Sequence, residues 1–280
     1  MANRPIEADV ASAVDHTVAV LAKRPAGLLF DYDGTLSELV NDPTLAAIER
    51  RSEAAIHELT DLVDVVAIVT GRAARDVQTR LDTSDLVVVG NHGFEWVVQD
   101  VHTEHDAGVD AANAVENALA EIEERLTRDN LVEGVIFENK RLSGSIHYRQ
   151  APNQRKVGSV LIPLARKIAA AHNLRPTEGK MIVELRPIAE VNKGTAMYHI
   201  RDEFNLAGMA FIGDDLTDVD GFESLRDIRN AGVADTVAVG VLGPDTHPSI
   251  ALTADVAVTG VLGVADYLER LVARLREVVS

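Results

Sequence analysis

The stretch LLFDYDGTLSELV, residues 28–40, ends an apolar run in Asp31 and Asp33, two acids separated by a single tyrosine. Tyr32 between them places both acids on the same side of an extended backbone. Gly34 then allows the chain to turn away sharply. A lone motif of this kind is also typical of a solvated loop or a calcium-type site, so its meaning depends on the rest of the chain.

The composition is that of a folded, acidic protein. The 280 residues are 46% hydrophobic and 25% charged, which suits one large domain or a core with a smaller second domain. The net charge of −17 argues against a general nucleic-acid binder and against adhesion to anionic membranes, since both require a basic surface. A small phosphorylated substrate stays compatible with this charge, because a few cations or a metal reverse the local field. The absence of cysteine excludes disulfides, thiol catalysis and cysteine metal sites.

The first 27 residues carry acids where a secretion signal is basic, and they lack a continuous apolar run. No stretch of the sequence approaches the length of a membrane span. We therefore expect a cytoplasmic protein.

Strand-like and helix-like patterns alternate at both ends of the chain. Short apolar runs, typical of buried parallel strands, occur at 27–30, 64–70, 86–90, 209–215 and 236–241. Helical spacing occurs at 7–22, 44–62, 193–204 and 262–277. In the segment 44–62, Leu45 is one of the positions assigned to the buried face of the helix. The alternation predicts right-handed βαβ units and a parallel sheet.

The middle of the chain has a different pattern. A long helix is predicted around 110–127, followed by paired antiparallel strands in GVIFENK (134–140) and SGSIHYR (143–149). A helical segment at 153–171 contains Pro163, which should kink or split it. The stretch GKMIVELRP, 179–187, is predicted as a further strand. We therefore expect an α+β domain at 107–186, inserted into a discontinuous core domain formed by 1–106 and 187–280.

Four polar features lie where open parallel sheets place their ligands, beyond the carboxyl ends of strands. They are Asp31 with Asp33, Thr70-Gly71-Arg72, Lys193, and the acidic run GDDLTDVD at 213–220. Each has a purely structural explanation. Thr70 is able to cap a helix, and Lys193 is able to serve as an ordinary surface lysine. The acidic run is able to begin a helix, where its acids are favourably placed against the helix dipole.

Together these residues suit phosphoryl transfer assisted by Mg²⁺, which prefers oxygen ligands. The candidate ligands are the carboxylates of Asp31 and Asp214 and the backbone carbonyl of Asp33. We expect Asp215 and Asp218 to bind metal-bound water or to orient the site. A carboxylate is also a competent nucleophile toward phosphorus, and a second carboxylate is needed to move protons.

The transferring phosphoryl group needs partners of its own. In the transition state its negative charge is spread over the phosphoryl oxygens, which a hydroxyl and an ammonium are able to bind. Thr70 and Lys193 meet that requirement.

The ordered set DYDGTLS, IVTGR, Lys193 and GDDLTD resembles the haloacid dehalogenase (HAD) superfamily of phosphatases. The resemblance implies an α/β fold, with a Rossmann-like parallel-sheet core and an inserted α+β cap domain. It implies that Asp31 is the nucleophile, Asp33 the general acid and base, and Thr70 with Lys193 the phosphate clamp. The implied metal residues are Asp31, Asp33 and Asp214, supported by Asp215 and Asp218.

Four further segments are similar to those that mark trehalose-6-phosphate phosphatases: NHGFEW, ENKRLSGSIHYR, GKMIVELRP and NKG. Their acids, amines and amides suit a disaccharide rich in hydroxyls, although alternating polar residues also occur on any solvated sheet face. The implied substrate-binding residues are Gly71, Arg72, Asn91, His92, Glu138, Lys140, His147, Arg149, Lys180, Glu184 and Asn192.

The leading hypothesis is Mg²⁺-dependent hydrolysis of trehalose 6-phosphate through an aspartyl-phosphate, with a possible metabolic link to trehalose-6-phosphate synthase. The alternative enzymes are phosphatases of sucrose phosphate or of glucosyl- or mannosyl-3-phosphoglycerate, because the inserted domain decides the sugar. A phospho-accepting signalling receiver also uses acids, a threonine and a lysine, but its motif order differs. A catalytically silent sugar-binding protein is disfavoured, because no core position is disabled.

Overall fold

The computed structural model describes residues 6–244 and 246–279. The chain forms two compact units. The first contains the chain up to His102 and from Val191 onward, and the second contains Thr103–Glu190.

The strands in the described residues are β1 (Ala26–Phe30), β2 (Val65–Val69), β3 (Val87–Gly90), β4 (Glu95–Val98), β5 (Val101–Glu104), β6 (Ile136–Asn139), β7 (Gly144–His147), β8 (Leu174–Gly179), β9 (Ile182–Pro187), β10 (Gly208–Gly213), β11 (Asp235–Leu242) and β12 (Val256–Thr259). The α-helices are α1 (Val10–Leu21), α2 (Arg50–Thr60), α3 (Ala74–Gln78), α4 (Asp106–Arg128), α5 (Gln154–Ala171), α6 (Lys193–Glu203), α7 (Leu216–Asn230), α8 (Pro248–Thr253) and α9 (Gly260–Val279).

The large sheet has the strand order β12-β11-β10-β1-β2-β3-β4-β5. Neighbouring strands from β12 to β3 are parallel, and β4 runs antiparallel to β3. The predicted α/β fold with a parallel-sheet core is therefore confirmed. Phe30 of β1 is paired with Ile68 on one side and Ile212 on the other. Because these three strands end in register, the residues that follow them meet at one edge of the sheet.

Both faces of this sheet are covered, which explains why its central strands are apolar throughout. One face packs against α1, α2 and α9, and the other packs against α6 and α7. Leu28 and Leu29 point to opposite faces, and both are fully buried. Each such side chain stabilises the fold by about 1.5–3 kcal/mol relative to its exposed state.

The second unit is a four-stranded antiparallel sheet of order β6-β7-β9-β8, with α4 and α5 packed on one face. The predicted pairing of the strands in 134–140 and 143–149 is confirmed, with Glu138 opposite Ser145. Ser145 in turn lies opposite Glu184, and Glu184 lies opposite Thr177 of β8. The face away from the helices therefore carries a row of polar side chains across the four strands.

Two local predictions were wrong, and a third was wrong in part. Leu45 is not on a buried helix face: Pro43–Leu45 is a short 3₁₀ turn, Leu45 is 72% exposed, and α2 begins only at Arg50, where the Glu49 side chain caps it. Of the kink or split predicted at Pro163, the split does not occur, since α5 is continuous from Gln154 to Ala171 with the exposed Pro163 inside it. Lys180 is not part of a strand. It lies in the turn between β8 and β9, where Met181 adopts a left-handed φ of 60°.

In the part of the chain that the structure describes, no helix combines the length and the apolar content needed to cross a membrane.

Candidate active site

Asp31 is the first residue after β1, and its side chain is buried at the carboxyl end of that strand. Its backbone N–H donates to Ile212 O of β10 (2.9 Å). Lys193, the first residue of α6, is also buried, and its Nζ donates to Asp31 Oδ1 and to Asp218 Oδ1, both at 2.6 Å. One buried ammonium group thus bridges two buried carboxylates that come from different elements.

Asp214 follows β10 and lies beside this pair. Asp218 Oδ2 accepts the backbone N–H groups of Asp214 (3.0 Å) and Asp215 (2.9 Å), which fixes the turn into α7. Gly34 has a φ of +86°, and a Cβ there would lie 2.2–2.4 Å from atoms of the Asp214 carboxylate. The glycine after the two acids is therefore needed both for the turn and for the close approach of Asp214.

The cluster carries more acid than its single lysine neutralises. Burial raises the pKa of Asp31 to about 8, although Lys193 opposes the rise. Burial also raises the pKa of Asp214, and Asp31 and Asp218 add to that rise. The pKa of Asp218 is raised by burial as well, against the effect of Lys193. Without a further cation, protons must balance part of this negative charge.

The same acids suit a divalent cation. One carboxylate oxygen from each of Asp31, Asp214 and Asp218 lies within 4.8 Å of the others. Oxygen donors of this kind are what Mg²⁺ prefers, and the excess negative charge gives the cation a role in stabilising the site. The donor set therefore fits a magnesium ion.

Asp33 turns toward a different partner. Both of its carboxylate oxygens accept hydrogen bonds from Arg72, from Nε at 2.6 Å and from Nη2 at 2.7 Å. The guanidinium also donates to Asp76 Oδ2 (2.5 Å) and to Pro43 O (3.1 Å), and it lies 5.1 Å from the ring centroid of Tyr32. Arg72 is buried, which lowers the pKa of its guanidinium, but the carboxylates of Asp33 and Asp76 raise that pKa and outweigh burial. The side chain of Asp33 is 34% exposed, which leaves it accessible from solution.

Thr70 follows β2 and is buried. Its hydroxyl oxygen accepts the backbone N–H of Arg72 (3.1 Å), so its hydroxyl hydrogen points elsewhere. A Cβ on Gly71 would lie 2.5 Å from His92 Nε2, which explains why a glycine is needed beneath that ring.

Asn91 and His92 have left-handed backbones, with φ of 48° and 58°. Their N–H groups donate to Arg72 O (2.7 Å) and to Thr70 O (2.8 Å), respectively. The loops after β2 and β3 are therefore joined. Asn192 caps α6 by accepting the N–H of Thr195 (2.9 Å), and this cap fixes the start of the helix at Lys193.

The second unit holds its own charged network. Glu184 Oε1 accepts from Lys140 Nζ (3.1 Å) and Ser145 Oγ (3.2 Å), and Glu184 Oε2 accepts from Arg186 Nη2 (2.7 Å). His147 Nε2 lies 3.2 Å from Glu138 Oε2. The acids Glu138 and Glu184 therefore hold basic side chains on the polar face of the antiparallel sheet.

A comparison of the sequence with models of protein families shows to which family the chain belongs. A model of the family described as trehalose-phosphatase matches residues 29–251. This chain belongs to the trehalose-phosphatase family.

Named relatives agree with this affiliation. The trehalose-phosphate phosphatase of Mycobacterium tuberculosis is 31% identical over 284 residues, which cover 96% of this chain and 66% of that protein. The corresponding protein of Mycobacterium marinum is 33% identical over 223 residues, covering 78% of this chain and 55% of the relative. The aligned part of the chain therefore spans between about half and two thirds of the length of these curated relatives.

Solved structures show the same fold at low identity. The C-terminal domain of the C. albicans trehalose-6-phosphate phosphatase superposes with a TM-score of 0.77 at 20% identity, covering 98% of this chain and 99% of that one. A haloacid dehalogenase-like hydrolase from Bacteroides thetaiotaomicron gives a TM-score of 0.62 at 14% identity, covering 89% of this chain and all of the other. The HAD-type fold inferred from the order of the motifs is thereby confirmed.

The residues predicted for this family site divide between the two units. Those in the first unit lie at the carboxyl edge of the large sheet or on loops bonded to it: Asp31, Asp33, Thr70, Gly71, Arg72, Asn91, His92, Asn192, Lys193, Asp214, Asp215 and Asp218. Those in the second unit are Glu138, Lys140, His147, Arg149, Lys180 and Glu184. Of the latter, Lys180 is set apart in the turn before β9, where its carbonyl accepts from Arg149 Nη2 (3.1 Å).

The sequence analysis did not single out Glu95, which bonds to the loops that carry several of the predicted residues. It lies inside the segment NHGFEW and is buried, with three hydrogen-bonding partners in the first unit. An acid within the otherwise apolar stretch FEWVV, 94–98, was the available signal, because a carboxylate is rarely buried without partners.

Proposed function

We propose that this chain is a Mg²⁺-dependent phosphatase that hydrolyses trehalose 6-phosphate to trehalose and phosphate. The observation that carries the proposal is the buried cluster in which Lys193 bridges Asp31 and Asp218 at the end of β1. It supplies a carboxylate nucleophile together with a cation able to bind the transferred group. The family of the chain supports the choice of substrate.

Asp31 acts as the nucleophile. One carboxylate oxygen attacks phosphorus, and the bond from phosphorus to the sugar oxygen breaks as Asp33 donates a proton to that oxygen. In the second half-reaction, Asp33 takes a proton from water while the water oxygen attacks phosphorus. The bond from phosphorus to Asp31 then breaks, and both carboxylates return to their starting state with release of phosphate.

Thr70 and Lys193 bind the phosphoryl oxygens. The ammonium of Lys193 has three donor hydrogens, of which Asp31 and Asp218 take two, so one is left for the substrate. The hydroxyl of Thr70 accepts from the backbone of Arg72 and therefore donates its own hydrogen to a phosphoryl oxygen. Donors held in place before the reaction stabilise the transition state without a cost of reorganisation.

Asp31, Asp214 and the backbone carbonyl of Asp33 would hold Mg²⁺, with Asp215 and Asp218 in support. When bound, the cation offsets the repulsion between the carboxylate and the phosphate dianion. Without it, burial raises the pKa of Asp31 to about 8, and the protonated carboxyl that results near neutral pH is not a nucleophile.

Asp33 has to leave Arg72 and take up a proton from water before it donates one to the leaving group, since the guanidinium occupies both of its oxygens. The donors of Arg72 are directed at protein groups, so we assign this arginine to the orientation of Asp33. The side chain of Asp33 is 34% exposed, so the carboxylate has room to rotate toward the substrate.

The second unit supplies the sugar-binding residues in this proposal, which assigns the region 107–186 the role of a cap. Gly71, Asn91, His92 and Asn192 of the first unit complete the substrate-binding set. A cytoplasmic location and a metabolic link to a trehalose-6-phosphate synthase complete the proposal.

Phosphate release, measured with Mg²⁺ and with EDTA, tests this function. The substrates are trehalose 6-phosphate, sucrose 6-phosphate, and the glucosyl and mannosyl esters of 3-phosphoglycerate. We expect Mg²⁺-dependent turnover with the highest kcat/KM on trehalose 6-phosphate. Preference for a glycerate ester or for sucrose phosphate contradicts the proposed substrate, and turnover that EDTA does not reduce contradicts the proposed metal.

A further inference from the structure

Glu95 is a buried carboxylate at the start of β4, outside the set of groups used above. Its Oε1 accepts two hydrogen bonds, from the backbone N–H of Ala74 (2.6 Å) and from Asn91 Nδ2 (2.7 Å). Its Oε2 lies 3.1 Å from His102 Nε2. The three partners belong to three different segments of the first unit, so one side chain joins all of them.

The Oε1 bonds connect the loop after β2 to the loop after β3. Ala74 is the first residue of α3, whose N-cap residue Ala73 has no side chain that is able to cap the helix. Glu95 provides the missing acceptor for that helix end. Gly90 leaves the space for it, since a Cβ there would lie 2.7 Å from Glu95 Oε1.

The Asn91 bond stabilises a strained backbone. Asn91 and His92 both have positive φ, a conformation that is unfavourable for residues other than glycine unless the surroundings hold it. Their N–H groups in turn hold the carbonyls of Arg72 and Thr70. A change at Glu95 is therefore transmitted to the hydroxyl of Thr70 and to the arginine that orients Asp33.

We propose that Glu95 is a positioning residue for phosphoryl transfer, which acts by holding the loops that carry Thr70 and Arg72. This inference rests on the proposed function, because that function gives Thr70 and Asp33 their roles. A misplacement of about 1 Å at such groups is enough to slow a reaction on the order of 100-fold. We assign this role to the acceptor Oε1 of Glu95, which takes the bonds from Ala74 and Asn91, and not to the negative charge.

The substitution Glu95→Gln separates the hydrogen-bond acceptor from the negative charge. The amide oxygen of the glutamine is able to accept from both Ala74 and Asn91, and its amide nitrogen is able to donate to His102 in the other imidazole tautomer. Glu95→Gln thus keeps the acceptor and removes the charge, whereas Glu95→Ala removes both. A comparison of kcat between Glu95→Gln and Glu95→Ala therefore measures the contribution of the hydrogen-bond acceptor.

Asp255 offers a matched structural control. It also accepts a backbone N–H, that of Ala238 (2.9 Å), together with two bonds from Arg229. Asp255 precedes β12, so it lies at the amino end of the parallel strands, whereas Asp31 lies at their carboxyl end. We expect Asp255→Ala to lower the melting temperature without changing kcat.

The experiment measures kcat and KM of these variants with Mg²⁺ on trehalose 6-phosphate and on p-nitrophenyl phosphate, together with amide hydrogen exchange. We expect Glu95→Ala to lower kcat about 10- to 100-fold on both substrates, with KM within about threefold of the parent. Glu95→Gln should stay within about threefold in both constants. Exchange in residues 70–76 and 90–95 should rise in Glu95→Ala alone.

A kcat of Glu95→Ala within twofold of the parent overturns the inference, and so does an equal loss in Glu95→Gln. If the parent hydrolyses only p-nitrophenyl phosphate, trehalose 6-phosphate is not its substrate. The ratio of the kcat values of Glu95→Ala and Glu95→Gln on p-nitrophenyl phosphate then still decides the role of Glu95. If the parent hydrolyses neither ester, unchanged exchange at residues 70–76 in Glu95→Ala overturns the inference.

Discussion

Lys193 Nζ lies 2.6 Å from Asp31 Oδ1, although the two residues are 162 positions apart in the sequence. The same ammonium donates to Asp218 at 2.6 Å, and all three side chains are buried. The lysine is therefore both a structural counter-ion and, in the proposed reaction, a ligand of the phosphoryl group. Both roles are open to direct tests.

Replacement of Lys193 by methionine leaves two buried carboxylates without their cation. We expect the free energy of unfolding to fall by about 3–5 kcal/mol, as measured by denaturant titration, and turnover to be lost. The double variant Lys193→Met with Asp218→Asn removes one of the stranded acids, so it should regain part of the stability and stay inactive. An unfolding free energy equal to that of the parent protein would show that the bridge does not stabilise the fold.

Replacement of Asp31 by asparagine should abolish phosphate release while the protein stays folded. The amide keeps the shape of the side chain and an acceptor for Lys193, but it is not a nucleophile. Phosphate release and a thermal melt measure the two properties separately. Asp33→Asn should be nearly inactive as well, and acid quenching with labelled substrate tests whether it accumulates phosphoenzyme. Substantial turnover by Asp31→Asn contradicts the assigned nucleophile.

Replacement of Arg72 by lysine keeps the positive charge and loses the two parallel bonds to Asp33. We expect kcat to fall about tenfold or more, because Asp33 is no longer held in a defined orientation. Arg229→Lys, which changes a similar bidentate pair to Asp255, is the control and should leave kcat unchanged. A larger effect on KM than on kcat would indicate that Arg72 binds the substrate directly.

The stability of the metal-free protein should depend on pH through Asp31. Burial raises its pKa from 3.8 to about 8, so between these values the folded state binds more protons than the unfolded state. The free energy of unfolding therefore falls as pH rises through this window, by at most about 1.4 kcal/mol per pH unit for one group. Asp214 and Asp218, whose pKa values are also raised by burial, act in the same direction.

Thermal melts in EDTA between pH 5.5 and 8.5 measure this dependence. Asp31→Asn should flatten it, since the variant lacks one of the titrating groups. Mg²⁺ binds the deprotonated carboxylates, so the stabilisation that it provides should grow with pH. A melting temperature of the EDTA-treated protein that rises over this range contradicts the assignment.

Replacement of Glu138 by glutamine tests the sugar-binding role that we propose for the second unit. Glu138 lies on the polar sheet face and contacts His147. We expect KM for trehalose 6-phosphate to rise about tenfold, as for a lost charged hydrogen bond, with little change for p-nitrophenyl phosphate. Arg166→Gln, which breaks an exposed pair with Glu178, is the control in the same unit and should leave both constants unchanged. Equal effects of Glu138→Gln on the two substrates would argue against a role in sugar recognition.

Sequence patterns predicted the elements of the core well, because apolar runs that end in acids or in glycine are local signals. Strands β1, β2, β3, β10 and β11 lie where these runs were found. The hairpin from β4 to β5 was not predicted. Its two turn residues, Gln99 and Asp100, both have positive φ, but they lack the Asn-Gly pattern that usually marks such a turn. The second unit likewise contains β8, whose Leu-Arg-Pro-Thr sequence has no clear alternation.

By itself, the sequence determined the parallel α/β core and the placement of Asp31, Thr70 and Asp214 after strands that share one edge. These features follow from local hydrophobic patterns and from the geometry of parallel strands. Only the tertiary structure decided the pairings: Lys193 shared between two acids, Arg72 engaged with Asp33, and Glu95 across two loops. A buried charge requires a partner wherever the fold brings one near, and that distance is not written in sequence spacing.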